Sequence, residues 1–145
     1  MRDNASMNLI RRAEAADSGA LFELTREFAT SFQPQVETFE RSFHRLIKQD
    51  DALLLVIVEA DQLLGYLLGF DHPALYANGL VSWVEEIMVR PDRRRSGLGR
   101  DLILHFEQWT AARGSRLVAL ATRRAAAFYA AIGYHESATY FRKLL

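Results

Sequence analysis

The chain contains no cysteine in 145 residues. That absence excludes a disulfide scaffold, a thiolate zinc site and a cysteine nucleophile together. Proline and glycine are sparse, at three and eight residues, and no Pro/Gly/Ser-rich linker, internal repeat or low-complexity stretch divides the sequence. A single domain over residues 1–145 is expected. Long apolar runs are also missing: Ala52 to Val58 is the strongest and is too short to span a bilayer. The opening "MRDNASMNLIRRAEAAD" lacks a basic segment followed by an apolar one, so no signal peptide is expected. A cytoplasmic location without membrane association is the expectation. Finally, neither charge sign dominates, with 18 basic and 18 acidic residues, which argues against a dedicated nucleic-acid-binding domain.

What is present suits a globular fold. Half of the residues are hydrophobic, including nine Phe, five Tyr and two Trp, enough for a sizeable core. The balanced charge is unevenly spread. Residues 1–72 carry seven basic and twelve acidic side chains, a net −5, and residues 73–145 carry eleven and six, a net +5. An anionic ligand is favoured by the second half and a cationic one by the first.

"NLIRRA" (Asn8–Ala13) reads as a first strand, and Asp17 as the N-cap of a helix with Leu21, Leu24 and Phe28 at helical spacing. Val36, Phe39, Phe43, Leu46 and Ile47 mark a second amphipathic helix. "ALLLVIVEA" (Ala52–Ala60) reads as a buried strand that turns at Asp61-Gln62 into "LLGYLLGF" (Leu63–Phe70). Asp71 to Leu80 reads as a loop, and Val81 to Val89 as a strand ended by Pro91. A helix starts near Gly97 with Leu98, Leu102, Phe106 and Trp109 as its stripe, and stops at Arg113-Gly114. A strand at Arg116–Thr122, a short helix at Arg123–Gly133 and two terminal strands, "YHESA" and "YFRKLL", complete an order β-α-α-β-β-β-α-β-α-β-β. This is an α/β chain with a mixed sheet and helices for both faces.

The segment "VRPDRRRSGLGRDL" (Val89–Leu102) holds five arginines and two close glycines. It reads either as a basic patch for a nucleic acid or as a cradle for one small phosphorylated ligand. A helix beginning at Gly97 offers unpaired N–H groups and a positive dipole end. Glycines at 97 and 99 let an anion approach, and Arg94, Arg95 and Arg100 add charge. Neither a G-x-x-x-x-G-K-[ST] loop nor a G-x-G-x-x-G dinucleotide fingerprint is present. What stands is R-x-x-G-x-G, between a strand and a helix.

With Val89, Pro91, Arg94, Gly97 and Gly99 in register as V-x-P-x-x-R-x-x-G-x-G, the chain resembles the GNAT superfamily of acyl-CoA-dependent N-acetyltransferases. A second block of that family is matched by Ala125, Phe128, Tyr129, Gly133 and Tyr134. The resemblance covers nearly the whole chain. It implies a mostly antiparallel sheet with central splayed parallel strands, and acetyl-CoA as co-substrate. Backbone groups of Ile87, Met88 and Val89 would pair with the pantetheine arm. The amides of Arg95, Ser96, Gly97, Leu98, Gly99 and Arg100 would hold the pyrophosphate. Thr122 stands where the family often has an Asn that helps bind the cofactor, with Arg123 and Arg124 beside it as compensating groups. On this resemblance the arginines surround one CoA, not a polynucleotide, and a homodimer is the expected assembly.

Acetylating an amine poses two proton problems. An alkyl ammonium with a pKa of about 10.4 must lose a proton before it attacks, and the departing thiolate leaves better if protonated. Glu85 and Glu86 are adjacent carboxylates on an otherwise apolar strand, and strand alternation sends neighbours to opposite faces unless a bulge intervenes. By similarity to polyamine-acetylating members, Glu85 is the base, acting through water, and Glu86 contacts the amine, although which of the two is the base stays open. Tyr129 is the implied general acid. Phe32 and Tyr76 would wall the acceptor site, as the corresponding regions do in the family. The four histidines show no metal-ligand spacing, so no metal is expected; His72 alone lies where it reaches toward an acceptor. The expected acceptor is a primary amine of a cationic small molecule. A protein lysine or N-terminus, and a non-catalytic acyl-CoA-binding domain, are the alternatives.

Overall fold

The computed structural model describes residues 8–29 and 31–145. Five strands, β1 (Leu9–Arg12), β2 (Ala52–Glu59), β3 (Gln62–Pro73), β4 (Leu80–Val89) and β5 (Ser115–Leu120), form one sheet in that order. The helices are α1 (Ser18–Phe28), α2 (Val36–Leu46), α3 (Leu98–Ala112) and α4 (Ala126–Ala131), with short 3-10 turns at Ala15–Asp17 and Pro91–Arg93. β1 to β4 pair antiparallel, whereas β4 and β5 pair parallel across the connection that contains α3.

The unbroken apolar run of β2 follows from burial on both faces. Leu53, Leu55 and Ile57 point into a core with Leu98, Leu102, Ile103 and Phe106 of α3. Leu54 and Val56 point the other way, against Leu21 and Leu24 of α1 and Phe43 of α2. Most of the helix spacings read from the sequence mark inward faces, but Phe28 and Val36, at the ends of α1 and α2, are exposed.

Three boundaries depart from expectation. β3 runs on through Asp71, His72 and Pro73. The Asp71 amide bonds the Asp51 carbonyl at 3.0 Å, and its buried carboxylate is held by Arg113. Asp17 precedes α1 but does not cap it with its side chain. Its carboxylate instead accepts from the Glu14 amide at 2.7 Å and from both terminal nitrogens of Arg11 at 2.7 and 3.0 Å. These bonds hold it below the usual carboxylate range. The two terminal strands do not form: residues 134–145 have no ladder partner among the described residues. That segment is mostly exposed and docks through side chains, Tyr140 stacking on Trp83 and Arg142 bonding Ser31 at 2.9 Å.

Arg113 closes the end of α3. It forks onto Asp71, with Nη2 to Oδ1 at 3.1 Å, and its guanidinium lies 4.6 Å from the Trp109 ring centre. Arg113→Ala strands a buried carboxylate, so it is expected to cost about 2–3 kcal/mol and roughly 6–10 °C in Tm. A thermal melt checks this, and a wild-type Tm would make the pair dispensable. Among the described residues, no helix is long and apolar enough to cross a membrane.

Candidate active site

β4 and β5 part company halfway. Their register runs from Leu80↔Ser115 to Val84↔Leu120 and stops. β4 continues from Glu85 to Val89, still paired with β3 on its other side. The parting opens a slot between the last two strands of the sheet, not at its centre as expected, and the freed edge of β4 can take an extended ligand. Arg90 gives its amide to Leu64 of β3 at 2.8 Å. By strand alternation the N–H and C=O of Val89, and of Ile87 two residues earlier, face the slot. Met88 turns its backbone toward β3, where its carbonyl lies 2.5 Å from the place of a Gly65 Cβ. Of the three residues expected to line this edge, Ile87 and Val89 do so and Met88 does not. Its side chain is buried against α1 and α2.

Beyond Val89 the chain turns through Pro91–Arg93 into α3. Gly97, at φ +85°, occupies the N-cap, a backbone conformation that disfavours any Cβ. Arg95 also has a positive φ, +63°. The Asp101 amide makes the first helical bond, to Gly97 O at 3.0 Å. The amides of Leu98, Gly99 and Arg100 precede it and have no acceptor within the helix. Leu98 buries its side chain in the core, which fixes the helix start against the sheet. The arginines sort by partner. Arg90 pairs with Asp92 at 3.1 Å, Arg93 with Glu59, and Arg94 Nε donates to the Val89 carbonyl at 3.0 Å. Ser96 Oγ donates to the Arg93 carbonyl. Arg95 and Arg100 have no ion pair or hydrogen bond among the described residues.

Gly99 has a neighbour the sequence did not suggest. A Cβ there would lie 3.4 Å from the Phe128 ring, at ordinary contact distance, so α4 rests beside the start of α3 and the two sequence blocks meet in space. Thr122 is engaged as well: its Oγ1 accepts the Ala125 amide at 3.0 Å and starts α4. Arg123 and Arg124 beside it are exposed. Tyr129 is buried on α4, edge-on to Phe128 and Tyr134 at 5.0 and 5.8 Å. Its hydroxyl has no hydrogen-bond partner among the described residues. Burial pushes its pKa above the usual tyrosine value, so the phenol keeps its proton at neutral pH.

The paired carboxylates are placed by a β-bulge. Leu68 pairs with Glu86 and Gly69 with Val84, which leaves Glu85 as the extra residue of β4. Val84 and Ile87 consequently both face α3, and Glu86 turns toward α1 and α2. Glu85 is exposed. Glu86 is half-buried and accepts a 2.9 Å bond from the Tyr66 hydroxyl. Burial pushes the Glu86 carboxyl above the ordinary carboxylate range; the Tyr66 bond opposes this and the nearby Glu85 charge adds to it. Burial and the Glu86 charge raise Tyr66 in turn. A cavity of about 90 Å³ adjoins Glu86, lined by Tyr66, Thr25, Phe39 and Leu68 among others. A larger open hollow of about 440 Å³ lies outside α1, between Glu23, Glu27, Phe32 and Pro34. It lacks both strand carboxylates, whereas the smaller cavity is lined by Glu86.

Phe32 lines only that outer hollow, and Tyr76 is exposed in the β3–β4 loop with no contact to the carboxylates. His72 is opposite Val81, four residues before Glu85 and therefore roughly 13 Å along the strand. Tyr66, Trp83 and Tyr140 were not singled out from the sequence. A tyrosine at the strand spacing of an inward face is indistinguishable from core until its cross-strand partner is known. Among the described residues, no three His, Asp or Glu side chains cluster as a metal site.

Glu86 is expected to trade stability for function. Its protonated form favours the fold, a contribution complete below the unfolded carboxyl pKa and lost as pH rises through the raised folded value. Glu86→Gln keeps an acceptor for Tyr66 and removes that penalty. Its Tm should exceed the wild-type Tm at pH 7 and converge with it in acid, while the amine KM rises roughly ten- to a hundredfold. Melts across pH and steady-state kinetics read the two effects separately.

The profile of the acetyltransferase (GNAT) family matches residues 19–134. Over 117 residues the chain is 31% identical to an aminoglycoside N(6')-acetyltransferase type 1 of Acinetobacter genomosp. 13, covering 74% of this chain and 80% of that protein. Among solved structures, it superposes on glucosamine-6-phosphate N-acetyltransferase from Arabidopsis thaliana with a TM-score of 0.85, 20% identity and coverage of 95% and 98%. It also superposes on AAC(6')-Iy, solved with the bisubstrate analog CoA-S-monomethyl-acetylneamine, with a TM-score of 0.82, 18% identity and coverage of 97% and 100%. At such identities the two structures establish the fold alone.

Proposed function

This chain belongs to the GNAT acetyltransferase family, and from that premise we propose that it moves the acetyl group of acetyl-CoA onto a primary amine of a cationic small molecule. The observation that supports the reading is the bulge at Glu85, with Glu86 lining a cavity from the stretch of β4 that has parted from β5. The slot and its surroundings fit the donor. The edge groups of Ile87 and Val89 would take the pantetheine arm. The amides from Arg95 to Arg100, with Arg95 and Arg100 free to supply charge, would take the pyrophosphate. Acetyl-CoA supplies an activated acetyl thioester.

The chain's own residues handle the protons. Glu86, held by Tyr66, draws the ammonium end of the acceptor into place. Glu85 removes one proton from it through water, and the free amine attacks. The Tyr129 hydroxyl protonates the departing thiolate and recovers a proton from the new amide nitrogen. Nothing in this scheme needs a metal or a covalent acyl-enzyme. The acidic surroundings, Glu23 and Glu27 included, and the aminoglycoside-acetylating relative support a polycationic acceptor, with aminoglycosides and polyamines first in the panel. The same reading takes the protein as cytoplasmic and homodimeric, with no nucleic-acid partner.

Thermal unfolding with acetyl-CoA, CoA, ATP and a short DNA duplex tests it first. A ligand at a hundredfold its Kd adds roughly 2.7 kcal/mol. Stabilisation by both CoA species but not ATP, followed by thiol release in an amine panel, is the expected result. No response to either CoA species would overturn it.

A further inference from the structure

Glu59 is the last residue of β2, and the hairpin behind it turns through Ala60 and Asp61, both left-handed at φ +48° and +64°. That tight turn leaves the Glu59 side chain beside the loop that precedes α3. There it pairs with Arg93, 34 residues later, with the carboxylate 10% and the guanidinium 35% exposed. Arg93 is in turn wired into the loop. Its amide donates to the Arg90 carbonyl at 2.9 Å, and its carbonyl accepts from Ser96 Oγ. One residue beyond Ser96 lies Gly97.

The stretch so tethered contains a strained residue. Arg95 holds a left-handed conformation that an L-residue adopts only when its surroundings enforce it. The tether through Arg93 is one such constraint, because it fixes the residues on either side of Arg95 to the β2–β3 hairpin. A carboxylate is otherwise unfavourable beside a phosphate site. By charge alone, removing Glu59 should tighten binding of an anion.

We propose that Glu59 is a positioning residue, which through Arg93 holds the loop from Arg93 to Gly97 in the conformation that presents its amides to the donor's pyrophosphate. This rests on the acyl-CoA reading above. Arg93 is committed to this pair and does not itself contact phosphate.

The two explanations of Glu59 predict opposite signs. CoA affinity by calorimetry, and KM values for acetyl-CoA and amine, are to be measured for wild type, Glu59→Gln, Arg93→Gln and the double variant. Each single variant should raise the CoA Kd and the acetyl-CoA KM about three- to tenfold. Both kcat and the amine KM should stay within about twofold, and the double variant should lose less than the two single losses combined, because the two residues share a contact. Affinity equal to or tighter than wild type in Glu59→Gln overturns the proposal. So does a much larger loss in Arg93→Gln, which would make Arg93 a direct phosphate contact. If Glu59→Gln does not fold, Arg93→Gln, at the more exposed end of the pair, decides against the double-digit loss of a direct contact. Wild-type protein that binds no CoA removes the acyl-CoA reading and this proposal together, whereas normal wild-type binding with unaltered variants removes this proposal alone.

Discussion

Glu85→Gln is expected to lower kcat/KM at neutral pH by about 10²- to 10³-fold, the range of a lost general base. The bulge leaves Glu85 exposed while its neighbour is tied to Tyr66. Glu85 has the solvent access that proton removal through water needs. The deficit should shrink as pH rises toward the amine's own pKa of about 10.4, because free amine then no longer has to be made on the enzyme. A pH–rate profile of wild type and variant is the check. A deficit that is constant across pH would recast Glu85 as a binding group. A normal rate in Glu85→Gln together with a severe loss in Glu86→Gln would move the base to Glu86.

Tyr129→Phe should lower kcat by about 10²-fold or more and leave CoA affinity within about twofold. The phenol is buried between Phe128 and Tyr134, has no hydrogen-bond partner among the described residues, and is held protonated by burial. Phenylalanine preserves both ring contacts, so a lost rate reports the hydroxyl and not the packing. An acyl thioester of a more acidic thiol leaves without help, and with such a donor the gap between wild type and variant should narrow. An unchanged kcat would return Tyr129 to the core as a packing residue. A loss that is the same for every leaving group would separate it from the thiolate.

The glycine–arginine segment shows how far one dimension reaches. Gly97 was legible as the start of a helix open to an anion, but its left-handed backbone, at φ +85°, is known only from the structure. Gly99 was legible as a glycine but not by its neighbour, since nothing local announces that Phe128, 29 positions later, will rest against it. The same limit applies to the arginines. Five look alike in the sequence, and only long-range pairing commits Arg93 to Glu59 while leaving Arg95 and Arg100 without a partner among the described residues.

Elements with a strong period, such as α3 with Leu98, Leu102 and Phe106, or β2 with apolar side chains on both faces, were determined by the sequence itself. Their side-chain spacing encodes burial directly. The terminal strands were not, because a strand exists only with a partner and "YFRKLL" meets side chains of Trp83 and Ser31 in place of a ladder. The site belongs to the second kind. Glu85 and Glu86 could be read as a pair, but alternation sends neighbours to opposite faces. Only the register slip between β3 and β4, opposite Leu68 and Gly69, breaks that alternation, leaving Glu85 exposed while Glu86 lines the cavity. A bulge is a property of two strands together, so that decision belongs to the tertiary structure.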